Sequence, residues 1–201
     1  MIVALYAAGA FLSGSFMFSY WIGRLLRRNI TSVGDGNPGA INLWKTSGMK
    51  FGLLGIALDF LKGYVPVLLA LQDVDGYALA PIALAAIAGH AFSPFLKGKG
   101  GKAIAVSFGV WSALTSFEAS LAYAIVMAAM TLSRRVASSR WRSSARTDAL
   151  QVVFGMLLVG GYLALRGFAE PVLWTWAGSF ALLAYTHRAE LTGLASKSAS
   201  G

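Results

Sequence analysis

Three lysines alternate with glycines in one short segment of the chain, which is Lys97-Gly98-Lys99-Gly100-Gly101-Lys102. Glycines let backbone amides turn toward a bound anion and the ammonium groups add positive charge, so this composition is typical of a phosphate-binding loop. The spacing differs from that of a P-loop and does not indicate nucleotide hydrolysis. We take Lys99, Gly100 and Gly101 as candidate substrate-binding residues and Lys102 as a candidate catalytic residue. A basic loop that only sets membrane topology is an equal alternative.

A second polar segment covers residues 34–45. Asn37 is suited to be the N-cap of a short helix and Pro38 to its first position, with Gly48 after its last residue. The amides at such a helix start can hold an anion. Turn signals alone favour a simpler alternative, a capped loop between two membrane spans. Asn42 is the candidate catalytic residue of this segment. Its candidate substrate-binding residues are Asp35, Gly36, Asn37, Gly39 and Lys45.

Asp59 and Lys62 lie inside an apolar run of the sequence. Residues three positions apart share one face of a helix, so the two side chains are expected to meet. Ionisable residues at membrane depth are costly and usually functional. We therefore expect this pair either to contribute to substrate binding or to neutralise itself and fix the packing of its helix.

The two histidines, His90 and His187, are the remaining candidates. Neither begins a His-x₄-Asp motif, because Phe95 and Thr192 stand five positions later. The chain also has no Gly-x-Ser-x-Gly motif and no cysteine, so the usual activated nucleophiles are missing. The sequence favours direct group transfer over a covalent enzyme intermediate, with His187 as a candidate proton carrier and His90 as a substrate-binding candidate.

The composition of the chain as a whole is typical of a membrane protein. Hydrophobic residues make up 57% of its 201 residues and charged residues 12%, against about 25% charged residues in soluble domains. The apolar runs cover residues 3–23, 51–71, 77–96, 103–133, 149–165 and 170–186. Since about 20 apolar residues cross a bilayer, the predicted fold is all-α, a polytopic membrane helix bundle. Most of the lysines and arginines that give the net charge of +9 lie between these runs. This distribution indicates membrane topology rather than nucleic-acid binding.

The run over residues 103–133 decides the number of spans. As one helix it would measure about 46 Å at ~1.5 Å per residue, which is too long for one straight span of a ~30 Å core. If the run turns near Glu118, one side of the membrane holds 15 of the 17 lysines and arginines. The positive-inside rule then predicts seven spans, with the N-terminus outside and the C-terminus cytoplasmic. We treat residues 1–194 as one transmembrane domain and expect residues 195–201 to be a disordered tail.

Several polar motifs occur together and in order along the chain. They are Gly14-Ser15, Gly23-Arg24, Gly34-x-Gly36-Asn37-Pro38-Gly39-Ala40-x-Asn42, Leu58-Asp59-Phe60-Leu61-Lys62-Gly63, Gly89-His90-x-Phe92-x-Pro94-Phe95-Leu96 and Lys99-Gly100-Gly101-Lys102. This set resembles the bacterial acyl-phosphate:glycerol-3-phosphate acyltransferases, which are integral membrane enzymes.

The resemblance implies transfer of a fatty acyl group from acyl phosphate to the 1-hydroxyl of glycerol 3-phosphate. The products would be lysophosphatidic acid and inorganic phosphate, with no metal or other cofactor. The active site would lie at the cytoplasmic face of the plasma membrane, where the bilayer supplies the acyl chain. In this scheme Lys102 would stabilise charge on the departing phosphate, Asn42 and Lys45 would orient the acceptor, and His187 would handle a proton.

Four positions depart from the family's usual pattern. Asp35 stands in place of serine, Lys45 of arginine, Ala103 of glycine and Glu190 of asparagine. A carboxylate about 4 Å from a substrate phosphate would repel it by ~4 kcal/mol at an effective dielectric near 20. Asp35 is therefore expected to be neutralised by a lysine such as Lys45, or to bind hydroxyl groups of the acceptor, unless the acceptor is not glycerol 3-phosphate. We favour binding to acceptor hydroxyls, with Lys45 taking the nearby anion.

Two other functions remain open from the sequence. One is a relative with a different acceptor alcohol or with no activity, which the Asp35 and Lys45 replacements motivate. The other is a small anion transporter, although the chain shows no paired half-repeats. The oligomeric state is also open.

Overall fold

The computed structural model describes residues 1–137 and 144–193, and these residues form helices, 3₁₀ turns and loops without any strand. The helices are α1 (Ile2–Ser15), α2 (Phe18–Leu25), α3 (Ala40–Ser47), α4 (Met49–Ala70), α5 (Leu79–Ala91), α6 (Ile104–Leu114), α7 (Glu118–Ala137), α8 (Ala145–Leu165), α9 (Glu170–Thr186) and α10 (Arg188–Leu191). The predicted all-α class is confirmed. The tail predicted over residues 195–201 lies outside the described residues.

Four segments among the described residues are long and apolar enough to cross a membrane, and all four match predicted runs. They are Ile2–Leu25, Met49–Ala70, Gly76–Leu96 and Ala145–Leu165. Of the others, α6 has 11 residues and α9 has 17, while α7 has 20 but carries Glu118 in its first turn and two arginines in its last. Length and composition therefore establish four candidate spans, and the predicted count of seven is not confirmed.

The long run over residues 103–133 is divided at the position that its charge indicated. Helix α6 ends at Leu114 and α7 begins at Glu118. Between them, Ser116 and Phe117 have φ values of 48° and 71°, which reverses the chain direction. Two consecutive residues in the left-handed region cannot continue a right-handed helix.

The first predicted span contains a break that the sequence did not indicate. Helix α1 ends at Ser15 and α2 begins at Phe18, so carbonyl groups near the break lose their helical partners. Two distant side chains replace those partners. The Ser93 hydroxyl donates to the Ser15 carbonyl at 2.7 Å, and the Lys62 ammonium donates to the Phe16 carbonyl at 2.5 Å.

Glycines allow the helices to approach closely in the middle of the bundle. A Cβ atom on Gly63 of α4 would lie 2.4 Å from the Val106 carbonyl oxygen, and one on Gly109 of α6 would lie 2.0 Å from the Phe60 carbonyl oxygen. Helices in lipid have no hydrophobic driving force to associate. Small residues at such crossings allow the close van der Waals packing that stabilises the contact instead. The α4–α6 crossing fixes the start of α6, which begins two residues after Lys102.

The polar motifs gather at one end of the bundle. Helices α2, α5, α7 and α9 end there, and α4, α6 and α8 begin there. We call this the Lys102 end. The opposite end, which we call the Asp73 end, is held by hydrogen bonds from Tyr6 to Asp73, from Tyr77 to Glu170 at 2.7 Å and from Arg166 to Glu118 at 2.8 Å.

The short helix of the second polar motif begins later than predicted. Gly39, and not Asn37, is the N-cap of α3, and Gly48 ends the helix with a φ of 87° as expected. The reason lies in Asn42, whose side-chain NH₂ donates to the Asn37 carbonyl at 2.9 Å. This bond holds residue 37 in the loop, so that the first helical residue is Ala40.

Candidate functional site

Lys102 lies between two carboxylates at the Lys102 end of the bundle. Its ammonium nitrogen is 2.6 Å from Oδ2 of Asp35 and 2.7 Å from Oε1 of Glu190. The side chains of Lys102 and Asp35 are 16% and 23% exposed, whereas that of Glu190 is 7% exposed. An ammonium group has three hydrogens to donate, and two of those on Lys102 are directed at protein carboxylates.

The loop before α3 presents Asp35 to Lys102. Gly34 and Gly36, on either side of it, have φ values of 61° and 70°, a conformation that glycine adopts without steric cost. The second oxygen of Asp35, Oδ1, accepts hydrogen bonds from the Asn42 side chain at 3.0 Å and from the Asn37 amide at 3.2 Å. Asn42 therefore orients the carboxylate, which leaves Oδ2 directed at Lys102.

The ion pairs set the protonation of this cluster. Burial by itself raises the pKa of Asp35, but the hydrogen bond and charge of Lys102, with the Asn37 and Asn42 donors, outweigh burial and lower it. Burial by itself lowers the pKa of Lys102, but its bonds to Asp35 and Glu190 outweigh burial and raise it. Asp35 is thus ionised and Lys102 protonated at neutral pH.

The glycine–lysine loop does not present its amides as predicted. The amides of Gly98, Lys99, Gly100 and Gly101 donate to the carbonyls of Ser93, Leu96, Ala91 and His90, at 2.9–3.1 Å. Amides that are already bonded in this way do not point toward a bound anion. These four amides are therefore not available to an anion at this loop, which leaves the lysine side chains as its main partners.

The glycines of this loop serve a packing purpose. A Cβ atom on Gly100 would lie 1.9 Å from the His90 carbonyl oxygen, and one on Gly101 would lie 2.2 Å from Nε2 of His90. His90 is 4% exposed and lies directly beneath the loop. The two glycines thus allow the loop to fold flat against the end of α5, which sets the position of Lys102.

Three cavities meet at Lys102 and Asn37, which line all of them. The first, which we call the loop cavity, has a volume of about 720 Å³ and is lined by Lys97, Lys99 and Arg188 together with Asp35. Gly36, Gly100 and Gly101 also line it. The loop cavity is therefore strongly basic.

The second cavity, which we call the Lys45 cavity, has a volume of about 640 Å³. Its lining includes Lys45, Asp35, Asp148 and His187. Positive and negative groups are balanced here, and the walls include apolar side chains of α8. This cavity suits a ligand with both charged and hydroxyl groups better than it suits a bare anion.

The third cavity, which we call the apolar cavity, has a volume of about 450 Å³ and runs between α3, α4 and α6. Its walls are mainly aliphatic and aromatic, with Ile41, Ile56, Phe60 and Phe108 among them. Gly39, Asp59 and His90 also line it. An apolar cavity that opens on a lysine suits a hydrocarbon chain with a polar head.

Asp59 and Lys62 form the predicted ion pair, with 2.7 Å between Nζ and Oδ1. Both side chains are about 2–3% exposed. The Ser19 hydroxyl donates to the second Asp59 oxygen at 3.4 Å, and Nδ1 of His90 lies 4.0 Å from the first. Lys62 lies behind Asp59 and lines none of the three cavities. The pair joins α4 to the break between α1 and α2, since Lys62 also holds the Phe16 carbonyl.

His187 follows the last residue of α9 and is 2% exposed. Its Nδ1 is 2.8 Å from the Leu183 carbonyl oxygen, so Nδ1 carries the hydrogen and Nε2 keeps a lone pair. Burial lowers the pKa of His187, against a smaller opposing effect of the Leu183 carbonyl. His187 is therefore neutral at pH 7 and capable of accepting a proton.

Two features of this site were not predicted from the sequence. Glu190 was noted only as a replacement, although it contacts Lys102 directly. Asp35 is paired with a lysine, which was one of the expectations from the sequence, but this lysine is Lys102 and not Lys45, the example named there. No local signal identifies either contact, because the three residues come from separate segments of the chain.

Comparison with known proteins places these residues in context. Residues 4–197 match the model of the glycerol-3-phosphate acyltransferase family. The chain is 36% identical to glycerol-3-phosphate acyltransferase 1 of Thermotoga maritima over 188 residues, which cover 90% of this chain and 92% of the relative. It is 33% identical to the glycerol-3-phosphate acyltransferase of Aquifex aeolicus over 187 residues, covering 92% and 91%.

Two solved structures are similar over almost the whole fold. Both are crystal structures of PlsY (YgiH), an integral membrane glycerol 3-phosphate acyltransferase. The glycerol 3-phosphate form gives a TM-score of 0.84 at 29% identity and covers 98% of this chain and 94% of that one. The lysophosphatidic acid form gives a TM-score of 0.82 at 28% identity, with coverage of 98% and 93%.

Proposed function

This chain belongs to the glycerol-3-phosphate acyltransferase family, and we propose that it acylates glycerol 3-phosphate with acyl phosphate as the donor. The product is lysophosphatidic acid, a precursor of membrane phospholipids. Support comes from family membership over nearly the whole chain and from the structural likeness to PlsY in its glycerol 3-phosphate and lysophosphatidic acid forms.

The meeting of three cavities at Lys102 is the observation that carries this proposal. The reaction needs three compartments, for an acyl chain, for the donor phosphate and for the acceptor. The apolar cavity suits the chain, the basic loop cavity suits the phosphate with Lys99 as a further contact, and the Lys45 cavity suits the acceptor. The acyl carbonyl would then lie where the three join, within reach of Lys102.

The chemistry follows from that placement. The 1-hydroxyl of the acceptor attacks the acyl carbonyl, the bond to phosphate breaks, and inorganic phosphate leaves. Lys102 stabilises negative charge on the departing phosphate. The hydroxyl proton passes to Nε2 of His187, which is neutral and carries a lone pair. Asn42 acts through Asp35, whose carboxylate it orients, and Lys45 binds the charged end of the acceptor.

The topology that goes with this function has seven spans, the N-terminus outside and the Lys102 end in the cytoplasm. The excess of lysine and arginine at the Lys102 end supports this orientation. Helices α6, α7 and α9 supply the three spans beyond the four apolar segments. A reporter that is active only in the periplasm, fused after Arg146, is expected to be silent. A strong signal there would contradict both the orientation and the count.

The decisive experiment uses the purified protein in detergent with palmitoyl phosphate and glycerol 3-phosphate. Lysophosphatidic acid and inorganic phosphate are expected to appear in equal amounts. A parallel reaction with palmitoyl coenzyme A tests the donor, and glycerol in place of glycerol 3-phosphate tests the acceptor. Phosphate release without lysophosphatidic acid would reduce the activity to hydrolysis and defeat the proposal.

A further inference from the structure

The Asp35–Lys102–Glu190 cluster carries a net negative charge although it surrounds a lysine. Both carboxylates lie within 2.7 Å of the same ammonium group. A phosphate that approaches Lys102 thus meets two negative groups for one positive group. An ammonium group that binds phosphate best has no competing carboxylate, because like charges at short distance repel strongly.

The two carboxylates differ in their access to a ligand. Asp35 is 23% exposed and lines both the loop cavity and the Lys45 cavity. Glu190 is 7% exposed, lies on α10 and lines none of the three cavities. A ligand in either polar cavity therefore reaches Lys102 from the side that Asp35 occupies.

Glu190 holds the ammonium from behind. Its Oε1 contacts Lys102, and its Oε2 is buried with no hydrogen-bond partner among the described residues. A carboxylate this enclosed cannot move away from Lys102 without disrupting the packing of α10. By contrast, Asp35 is on a loop with glycines at positive φ on both sides, and only Oδ1 is tied to Asn42 and Asn37.

We propose that Asp35 occupies the phosphate-binding face of Lys102, so that a phosphorylated substrate must displace it before its phosphate binds there. Glu190 is the fixed partner that keeps Lys102 in place during the exchange. The inference rests on the proposed function for the identity of the phosphate, but its content is a competition for one ammonium group. It explains how an ionised aspartate and a phosphate can share a site, since they use Lys102 in turn.

The test measures binding and not catalysis. Isothermal titration calorimetry would follow the binding of inorganic phosphate, the leaving group that Lys102 contacts in the proposed reaction, to the purified wild type and to Asp35→Asn, which keeps the shape of the side chain and removes its charge. The variant is expected to bind inorganic phosphate at least about tenfold more tightly, a change that corresponds to about 1.4 kcal/mol. The difference in affinity between the wild type and Asp35→Asn is expected to become smaller in high salt, which screens the repulsion of a partly exposed carboxylate.

Two further variants separate the effect of displacing Asp35 from the effect of the net charge of the cluster. Glu190→Gln removes the same charge from the cluster but not from the ligand's path, so it is expected to tighten binding by less than about threefold. Asp75→Asn removes one charge at the Asp73 end and is expected to change nothing. If Asp35→Asn loses its fold, as judged by its melting curve, Asp35→Ser takes its place.

The outcomes distinguish this inference from the proposed reaction. Tighter binding in the Asp35 variant without acyl transfer from palmitoyl phosphate would support the competition for Lys102. It would contradict the proposal that acyl phosphate is the acyl donor. Acyl transfer by the wild type with equal affinity in wild type and Asp35 variants would overturn the competition and leave the reaction standing. A larger gain in Glu190→Gln than in Asp35→Asn would overturn it as well, because the displaced group would then be the buried one.

Discussion

Two clusters near the apolar cavity contain the same residue types and are used differently. Each has one aspartate, one lysine and one histidine: Asp59, Lys62 and His90 in the first, and Asp35, Lys102 and His187 in the second, where Glu190 adds a further carboxylate. The Lys62 side chain is 2% exposed and that of Lys102 is 16% exposed. The first cluster is enclosed within the bundle, and the second lies at the junction of three cavities.

The partners of each lysine account for the difference. Lys62 is bound by Asp59 and by the Phe16 carbonyl, which the break between α1 and α2 leaves without a helical partner. Exchanging that carbonyl for a ligand would leave a buried polar group unpaired, which is costly. Lys102 is bound by side chains, one of them partly exposed, which a ligand can replace. We expect the first cluster to determine folding and the second to determine activity.

The largest expected effect concerns the enclosed pair. Changing Asp59 to Asn or Lys62 to Gln leaves one buried charge without its partner, and such losses cost about 3–5 kcal/mol. The double variant is expected to lose less stability than either single variant, since neither charge remains. Melting curves in detergent for the four proteins form a double-mutant cycle. Additive losses would show that the two residues are not coupled and would remove the contrast between the clusters.

The next effect concerns turnover at the exposed lysine. Removal of Lys102 alone would leave Asp35 and Glu190 to repel each other, so Lys102→Ala is best made together with Glu190→Gln. Relative to Glu190→Gln alone, the pair is expected to lower acyl transfer by about 10²–10³-fold, with little change in melting temperature. Lys50→Ala, an exposed lysine at the start of α4, is the control and should keep its activity. Near-normal turnover without Lys102 would place the chemistry elsewhere.

The sequence predicted those features that depend on neighbouring residues. Asp59 and Lys62 meet because a spacing of three positions places them on one helix face. The turn at Glu118 follows from a run too long for one span. Apolar runs such as residues 51–71 and 149–165 form helices with nearly the predicted bounds. In each case, the geometry follows from local periodicity and bilayer thickness.

Contacts between distant segments were not predictable in the same way. The break after Ser15 is stabilised by Lys62 and Ser93, which belong to other parts of the chain. The lysine that neutralises Asp35 is Lys102 and not Lys45, which is nearer in the sequence. The reason is that the loop before α6 folds over the end of α5 and reaches Asp35. Residue type and spacing cannot specify which of several lysines comes closest, since that depends on the packing of the whole bundle.

A smaller effect is expected at Ala103, the residue after Lys102. Its φ is 62°, a left-handed conformation that costs a residue with a side chain about 1–2 kcal/mol. Ala103→Gly is therefore expected to raise stability by about 1 kcal/mol and to leave turnover near the wild-type value. Ala113→Gly, inside α6, should instead lower stability. A fall in the melting temperature of Ala103→Gly would show that the methyl group contributes more by packing than its conformation costs.

The smallest effect concerns the pH dependence that His187 gives to the second cluster. Burial lowers the pKa of His187 in the folded protein, while in the unfolded chain the pKa of histidine is ~6.5. As the pH falls below that value, the unfolded chain takes up a proton that folded His187 resists. The stability from neutral His187 is thus fully present above about pH 6.5 and is lost as the pH falls toward the folded pKa.

His187→Gln isolates this contribution. Glutamine can still donate a hydrogen bond toward the Leu183 carbonyl but cannot titrate, so its melting temperature should fall less between pH 7 and pH 5.5 than that of the wild type. The comparison uses slopes and not absolute values, because the substitution itself alters packing. Asp35 adds nothing in this window, since Lys102 keeps the pKa of Asp35 below its usual value despite burial. Equal slopes would mean that His187 is as easily protonated in the folded protein as in the unfolded chain, contrary to the effect expected from its burial.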